Sequence, residues 1–263
     1  MNETFDLSVL PVKPPPVQNE LKRPIDERLP DINAGAMVLL ISPVKTGKST
    51  IISNLLLSDN FYRDSFDIVY IISNTIHNCV TSRFLLEQFP DTIYDNYNDG
   101  IIQNIITYQE TFTKAKMPRI AIILDDILGS IGRNDAIIHL CSRYRHYNIK
   151  LLLFASQMFK GLPPVVRANA SDVILGGPQP NMSELEKIAE EYSSLYEGKD
   201  NFIKLYHEAT DKRYGFMYCR LHHNPTQAWR NFSDQIFVGK DAGETNNDDR
   251  RDLKKKKCQD REE

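Results

Sequence analysis

The sequence predicts an α/β fold with a mostly parallel, doubly wound central sheet, and three observations carry that reading. First, near-continuous apolar runs recur at 36–41, 67–73, 119–125, 149–155 and 172–175, with little apolar/polar alternation inside them. Such strands are expected where helices cover both faces of a sheet. Second, helical stretches separate them, near 48–58, 80–89, 99–114, 134–146 and 163–170, and strand–helix alternation builds parallel sheets. Third, the run at 36–41 leads directly into Ser42-Pro43-Val44-Lys45-Thr46-Gly47-Lys48-Ser49-Thr50 and then into an apolar segment at 51–57. That order is strand, phosphate-binding loop, helix.

Taking the elements in turn, the 67–73 and 119–125 runs are β-branched and bounded by polar residues, as buried strands are. Asp99 and Asn134 are expected N-caps of the helices that follow them. Beyond Gly176-Gly177-Pro178 come helical segments at 182–192 and 199–209 and a further strand at 214–220.

Flanking segments differ in composition. Residues 1–33 carry Pro11, Pro14, Pro15, Pro16, Pro24 and Pro30; proline fixes φ and removes donors, so an extended proline-rich arm is expected. It is either a disordered leader or a segment that lies on a neighbouring subunit. The main domain is read as 34–238. Residues 239–263 mix charges without aromatics and are expected to form a disordered tail. The run Lys254-Lys255-Lys256-Lys257 within it is either solvated or a DNA or localisation contact.

A chain of 263 residues suits one large α/β domain. Hydrophobic residues at 41% and charged residues at 25% are the proportions of a globular protein. The net charge of −3 carries no global signal for nucleic acid, so any DNA-binding surface has to be a local patch. Cys79, Cys141, Cys219 and Cys258 are far apart without C-x-x-C spacing, which argues against a zinc site and a disulfide framework. An intracellular, reducing location is expected. No apolar run approaches the ~18 residues of a membrane span, and the basic-then-apolar pattern of a secretion signal is missing.

The chemistry concentrates in three stretches. In the loop Ser42–Thr50, backbone N–H groups would cradle phosphate oxygens, helped by the helix N-terminus. Lys48 would reach the β/γ-phosphates and the Ser49 hydroxyl would ligate Mg²⁺. Ser42 stands where the usual G-x-x-x-x-G-K-[ST] pattern has its first glycine. The second stretch is Arg119-Ile120-Ala121-Ile122-Ile123-Leu124-Asp125-Asp126, which places two carboxylates at the carboxyl end of a buried strand, where α/β ligands sit. Asp125 suits the organisation of a metal, and Asp126 the polarising of an attacking water. The third runs from Arg143-Tyr144-Arg145-His146-Tyr147-Asn148 through the strand 149–155 to Ser156-Gln157. Gln157 is either a γ-phosphate sensor or a plain polar strand end. Arg143 and Arg145 either complement a helix C-terminus or supply an arginine finger to an adjacent subunit.

Together, Ser42–Thr50, the Ile120–Asp126 stretch and Arg145-His146-Tyr147-Asn148-Ile149 with its strand ending in Gln157 resemble the poxvirus-type genome-packaging ATPases of large double-stranded DNA viruses, in the FtsK–HerA superfamily. The phrase Leu162-Pro163-Pro164-Val165-Val166-Arg167-Ala168-Asn169 is similar too, and the likeness spans roughly 33–235. The resemblance implies a P-loop NTPase of the RecA/FtsK-like kind, with ATP and Mg²⁺ as cofactors. It implies that Lys48 and Ser49 bind nucleotide and metal, Asp125 and Asp126 carry Walker B duties, Gln157 senses and Arg145 is the finger. It further implies a homo-oligomeric ring that threads double-stranded DNA into a capsid or portal-like vertex, in the host cytoplasm or the virion. Departures are Ser42 for glycine and Asp126 where relatives often carry glutamate.

Two other readings stay open: a cellular or plasmid DNA pump, and a small-molecule kinase or nucleotide switch. A GTPase base-recognition segment is not met by Asn148-Ile149-Lys150-Leu151, whereas Arg143, Arg145 and Arg167 could mimic a kinase lid. Lys114, Lys116, Arg133 and Lys160 are scattered basic candidates for DNA contact. His222-His223 is read as a turn rather than a metal pair, and Trp229 and Phe232 as packing onto the core.

Overall fold

The computed structural model describes residues 24–78, 80–127 and 135–240. In chain order the elements are β1 (Ala36–Ile41), α1 (Lys48–Leu57), β2 (Ile68–Ser73), α2 (Arg83–Gln88), β3 (Ile93–Tyr94), α3 (Asp99–Glu110), β4 (Ile120–Asp125), α4 (Asp135–Arg143), β5 (Ile149–Ser156), α5 (Pro164–Ala168), β6 (Asp172–Gly176), α6 (Met182–Tyr192), α7 (Lys199–Ala209), β7 (Phe216–Arg220), β8 (Gln227–Arg230) and β9 (Asp234–Val238). They form one sheet in the order β3-β2-β4-β5-β1-β6-β7-β8-β9. The strands from β3 to β6 are parallel, and β7, β8 and β9 extend the sheet antiparallel. The expected parallel, doubly wound α/β core is present.

Period-two geometry explains why these strands are apolar throughout. On β1, Met37, Leu39 and Ile41 face a cluster shared with α3, α4, α6 and α7. Ala36, Val38 and Leu40 face the opposite cluster with Ile52 and Leu55 of α1. The same division holds for β4, where Ile120, Ile122 and Leu124 take the first face and Ala121 and Ile123 the second. Both faces are dry, so no position on either strand tolerates a polar side chain until the carboxyl tip.

Several details differ from expectation. β3, β8 and β9 are additional strands: β3 has two residues, and β8 and β9 carry mixed, partly exposed side chains that give no apolar run. The strand read at 214–220 begins at Phe216, because Tyr214 and Gly215 form a turn. The N-cap of α3 is Asn98, in extended conformation, whose Oδ1 accepts from the Ile101 N–H at 3.1 Å; Asp99 lies in the first turn. Asn134 lies outside the described residues, as do Arg133, Cys79, Cys258, most of the proline-rich arm and almost all of the charged tail. Leu29 and Ile32, from the end of that arm, are buried in the second cluster, and Pro30 O accepts from Tyr62 Oη at 2.8 Å. The packed chain therefore begins before residue 34. Trp229 and Phe232 pack against the same cluster, as expected. His222 lies in a turn and His223 directly follows it. No helix among the described residues is long and apolar enough to cross a membrane.

Leu39 is fully buried in the middle of the central strand. Leu39→Ala should cost about 2–5 kcal/mol by urea denaturation, the range for deleting a large aliphatic side chain from a core.

Candidate nucleotide site

The strand order does the positioning. β5 is inserted between β1, which feeds the loop, and β4, which ends in the two acids. The last carbonyls of β5 hold both neighbours: Ala155 O accepts from the Asp126 N–H at 3.0 Å, and Ser156 O from the Ser42 N–H at 2.9 Å. The loop, the acids and Gln157 are thus three adjacent strand tips at one rim of the sheet.

The side chains converge there. Lys48, at the start of α1, donates from Nζ to Asp125 Oδ1 at 2.7 Å and is also ion-paired with Asp126 Oδ2. Gln157 Nε2 donates to Asp126 Oδ2 at 3.3 Å. Ser73, at the tip of β2, donates to Asp125 Oδ2 at 2.9 Å. Lys48, Asp125 and Asp126 are largely sheltered from solvent, so the attraction between ammonium and carboxylates is poorly screened. Asp126 has φ 52°, a left-handed conformation that Asp tolerates better than most residues and that turns its carboxylate back toward Lys48. Ser73 went unnoticed in the sequence, although it carries the signal used for Gln157, a polar residue ending a buried strand.

The loop shows why Ser42 can replace glycine. Ser42 is fully buried, and its Oγ lies 2.5 Å from Thr46 Oγ1, which donates to Pro43 O at 2.7 Å. The room for its side chain comes from the next strand. A Cβ built on Gly176 of β6 would lie 2.3 Å from Ser42 Oγ, so only glycine fits opposite this serine. Gly47, with φ 101°, closes the loop in a conformation that favours glycine, and Lys45 is exposed with φ 65°.

The loop after Gln157 is also held. Glu184 of α6 is buried, and its Oε2 accepts from the Phe159 N–H at 3.0 Å and the Lys160 N–H at 3.3 Å. Lys160, one of the scattered basic candidates, pairs with Glu184 and donates to Ser183 Oγ.

Arg145 is placed elsewhere. Its Nε donates to Tyr144 Oη at 3.0 Å and its guanidinium lies over that ring, while Tyr144 Oη donates to Gly35 O. Gly35 immediately precedes β1, so Arg145 sits at the opposite rim of the sheet, roughly 20 Å away by strand length. It cannot meet the loop of its own chain. Around it a second cleft is lined by Asp31, Asp172, Arg220, His222 and His223. Burial pushes the Asp172 carboxyl up from its ordinary range, opposed by hydrogen bonds from Ser171 Oγ and Tyr218 Oη, both at 2.7 Å. In the same stretch, Asn148 is structural: with φ 52°, it donates from Nδ2 to Met117 O at 2.8 Å and ties the start of β5 to the approach of β4. Cys141 and Cys219 are buried, free thiols, each pushed by burial up to about 12.

No protein-family model and no curated protein matches this chain. Solved structures do. The genome-packaging NTPase B204 of Sulfolobus turreted icosahedral virus 2, in complex with sulfate, aligns with a TM-score of 0.52 and 17% identity, covering 79% of this chain and 97% of that one. Its complex with ATPγS gives a TM-score of 0.50 and 19% identity over 80% and 98% of the two chains. B204 described as the DNA-packaging ATPase of Sulfolobus turreted icosahedral virus gives a TM-score of 0.50 and 21% identity over 73% and 95%. The chain thereby shares the P-loop α/β fold of these proteins, the fold that the sequence led one to expect.

Gly176→Ala should weaken nucleotide binding at least about tenfold by forcing Ser42 and the loop apart. Adding Ser42→Gly should restore most of the loss, a coupling that a double-mutant cycle of dissociation constants measures.

Proposed function

We propose that this chain hydrolyses ATP and uses the free energy released to drive double-stranded DNA into a viral capsid. The observation that carries the ATPase part is the convergence of Lys48, Asp125, Asp126 and Gln157 on three adjacent strand tips beside a phosphate loop. Lys48 is the cation that would lie against the β/γ-phosphates. Asp126, fixed by Gln157 and by the Ala155 carbonyl, is the group that would orient and polarise the attacking water. The Gln157 amide, exposed at the tip of β5, would report the γ-phosphate to Asp126 through the bond between them.

A bound Mg²⁺ would neutralise charge on the transferring phosphoryl group. The residues fit it. Ser49 and Asp125 offer hard oxygen donors, and Asp125 already holds a cation, the Lys48 ammonium. Among the described residues no group of three or more His, Cys, Asp or Glu side chains forms a metal cage. That suits an ion held by one or two protein oxygens together with the nucleotide's phosphates.

The DNA-moving part rests on the sequence resemblance to packaging ATPases and on the shared fold with B204, itself solved with sulfate and with ATPγS. In this reading copies assemble into a ring, and Arg145 reaches the phosphates held by a neighbour, since it lies at the far rim from its own loop. The kinase reading is disfavoured by the arginines themselves. Arg167, one of the residues that could have formed a lid, is ion-paired with Glu191 and lies over the Phe159 ring at 5.0 Å.

Purified protein should turn over ATP faster in the presence of duplex DNA, and Lys48→Ala should cut that turnover about 100-fold or more, the scale for removing a positioned electrostatic group. Turnover indifferent to duplex DNA would overturn the translocase reading.

A further inference from the structure

Tyr214 is a bulky aromatic at φ 65°, a conformation such residues rarely adopt, and the surrounding backbone enforces it. The Gly215 N–H donates to Lys212 O at 2.9 Å, closing the turn, and the Gly177 N–H donates to Gly215 O at 3.2 Å, tying the turn to the end of β6. Gly215 itself is pressed against α7, where an added Cβ would lie 2.6 Å from Ala209 O. The turn therefore has little freedom, and the Tyr214 ring is delivered in one direction.

That direction is the loop. A Cβ built on Gly47 would lie 3.6 Å from Tyr214 Cδ1, so the ring stands beside the residue that precedes Lys48. It remains 52% exposed and belongs to neither core cluster. The Arg213 guanidinium lies 4.8 Å from its centroid. Ring and loop line one cleft of about 1140 Å³, together with Thr50 and Asn54 of α1 and with Asn231. This is more space than phosphates alone need. Asn231 Oδ1 accepts from the Phe216 N–H at 3.3 Å, which leaves its amide NH₂ as the end available to a ligand.

A flat, exposed aromatic next to a phosphate cradle, in a cleft that also holds the side-chain amides of Asn54 and Asn231, is suited to a heteroaromatic ring. We propose that Tyr214 is the platform on which the nucleobase of bound ATP stacks, with Asn54 and Asn231 beside the edge of the base. This inference rests on the reading that the triphosphate lies in the Ser42–Thr50 loop. It assigns Tyr214 to binding, with no part in the chemical step.

The test compares the KM and kcat for ATP of Tyr214→Ala, Tyr214→Gly and Tyr214→Phe with the inhibition constant of inorganic tripolyphosphate, which has the phosphates but no base. Loss of the ring should raise KM for ATP about 5- to 100-fold, the scale of base–aromatic stacking, with a smaller change in kcat and no change in tripolyphosphate inhibition. Tyr214→Gly, which keeps the left-handed turn without strain, should behave as Tyr214→Ala does, and Tyr214→Phe should restore the wild-type KM. An unchanged KM in Tyr214→Ala overturns the inference, as does an equal weakening of ATP and tripolyphosphate, which would mark a loop-shaping role. Lys48→Ala separates the two levels. If it abolishes turnover while Tyr214→Ala keeps the wild-type KM, only the stacking inference falls; if Lys48→Ala leaves turnover intact, the phosphate-loop reading falls and the stacking inference with it.

Discussion

The insertion of β5 between β1 and β4 is the constraint on which the site depends. Two backbone hydrogen bonds from its carboxyl end, to Asp126 and to Ser42, fix the distance between the phosphate loop and the acids. They also leave the next residue, Gln157, standing between them. Interdigitated apolar side chains on both faces hold the three strands in register. Close packing of this kind transmits small displacements instead of absorbing them. The geometry of the candidate site is therefore a property of the sheet, with the loops adding only the final side-chain direction.

Around this rim the polar groups are satisfied in layers. Lys48 answers both acids, Ser73 takes the second oxygen of Asp125, Gln157 shares Asp126 Oδ2 with Lys48, and Glu184 holds the loop that follows Gln157. Charged and polar groups sheltered in this way are costly unless partnered, and here the partners come from four different strand or helix ends. The opposite rim is built from different chemistry, with Arg145, Arg220 and two histidines near the buried Asp172. The sheet thus separates the candidate phosphate site from a cleft in which Arg145 and Arg220 lie among Asp31 and Asp172.

The parallel core was legible because each central strand is buried on both faces and so reads as a near-continuous apolar run. Lys48 was placed by the loop motif, Asp125 and Asp126 by the apolar run before them, and Gln157 by a strand end that left two readings open; the structure brings all four together. Ser73 was missed because a serine at a strand end is common, and its role appears only when β2 is seen beside β4. The outer strands β8 and β9 were missed because half-exposed strands carry no strong periodicity. Tyr214 was read as the start of a strand, since aromatic and apolar residues follow it. Only the backbone at Gly215 and Gly177 reveals a turn. The rim of Arg145 followed from the helix–strand order, because a segment leading into a parallel strand lies at the sheet's amino end, away from the phosphate loop.

The contact between Ser42 and Gly176 has a consequence for how this sequence can drift. Two residues on neighbouring strands, far apart along the chain, share a volume that holds only one side chain. Glycine at position 42 would free position 176 to accept alanine, whereas alanine at 176 first would leave the chain with a distorted loop. Substitutions at the two positions are therefore ordered in time, and the serine–glycine pairing is a covariation mark by which kindred chains lacking the first loop glycine can be found.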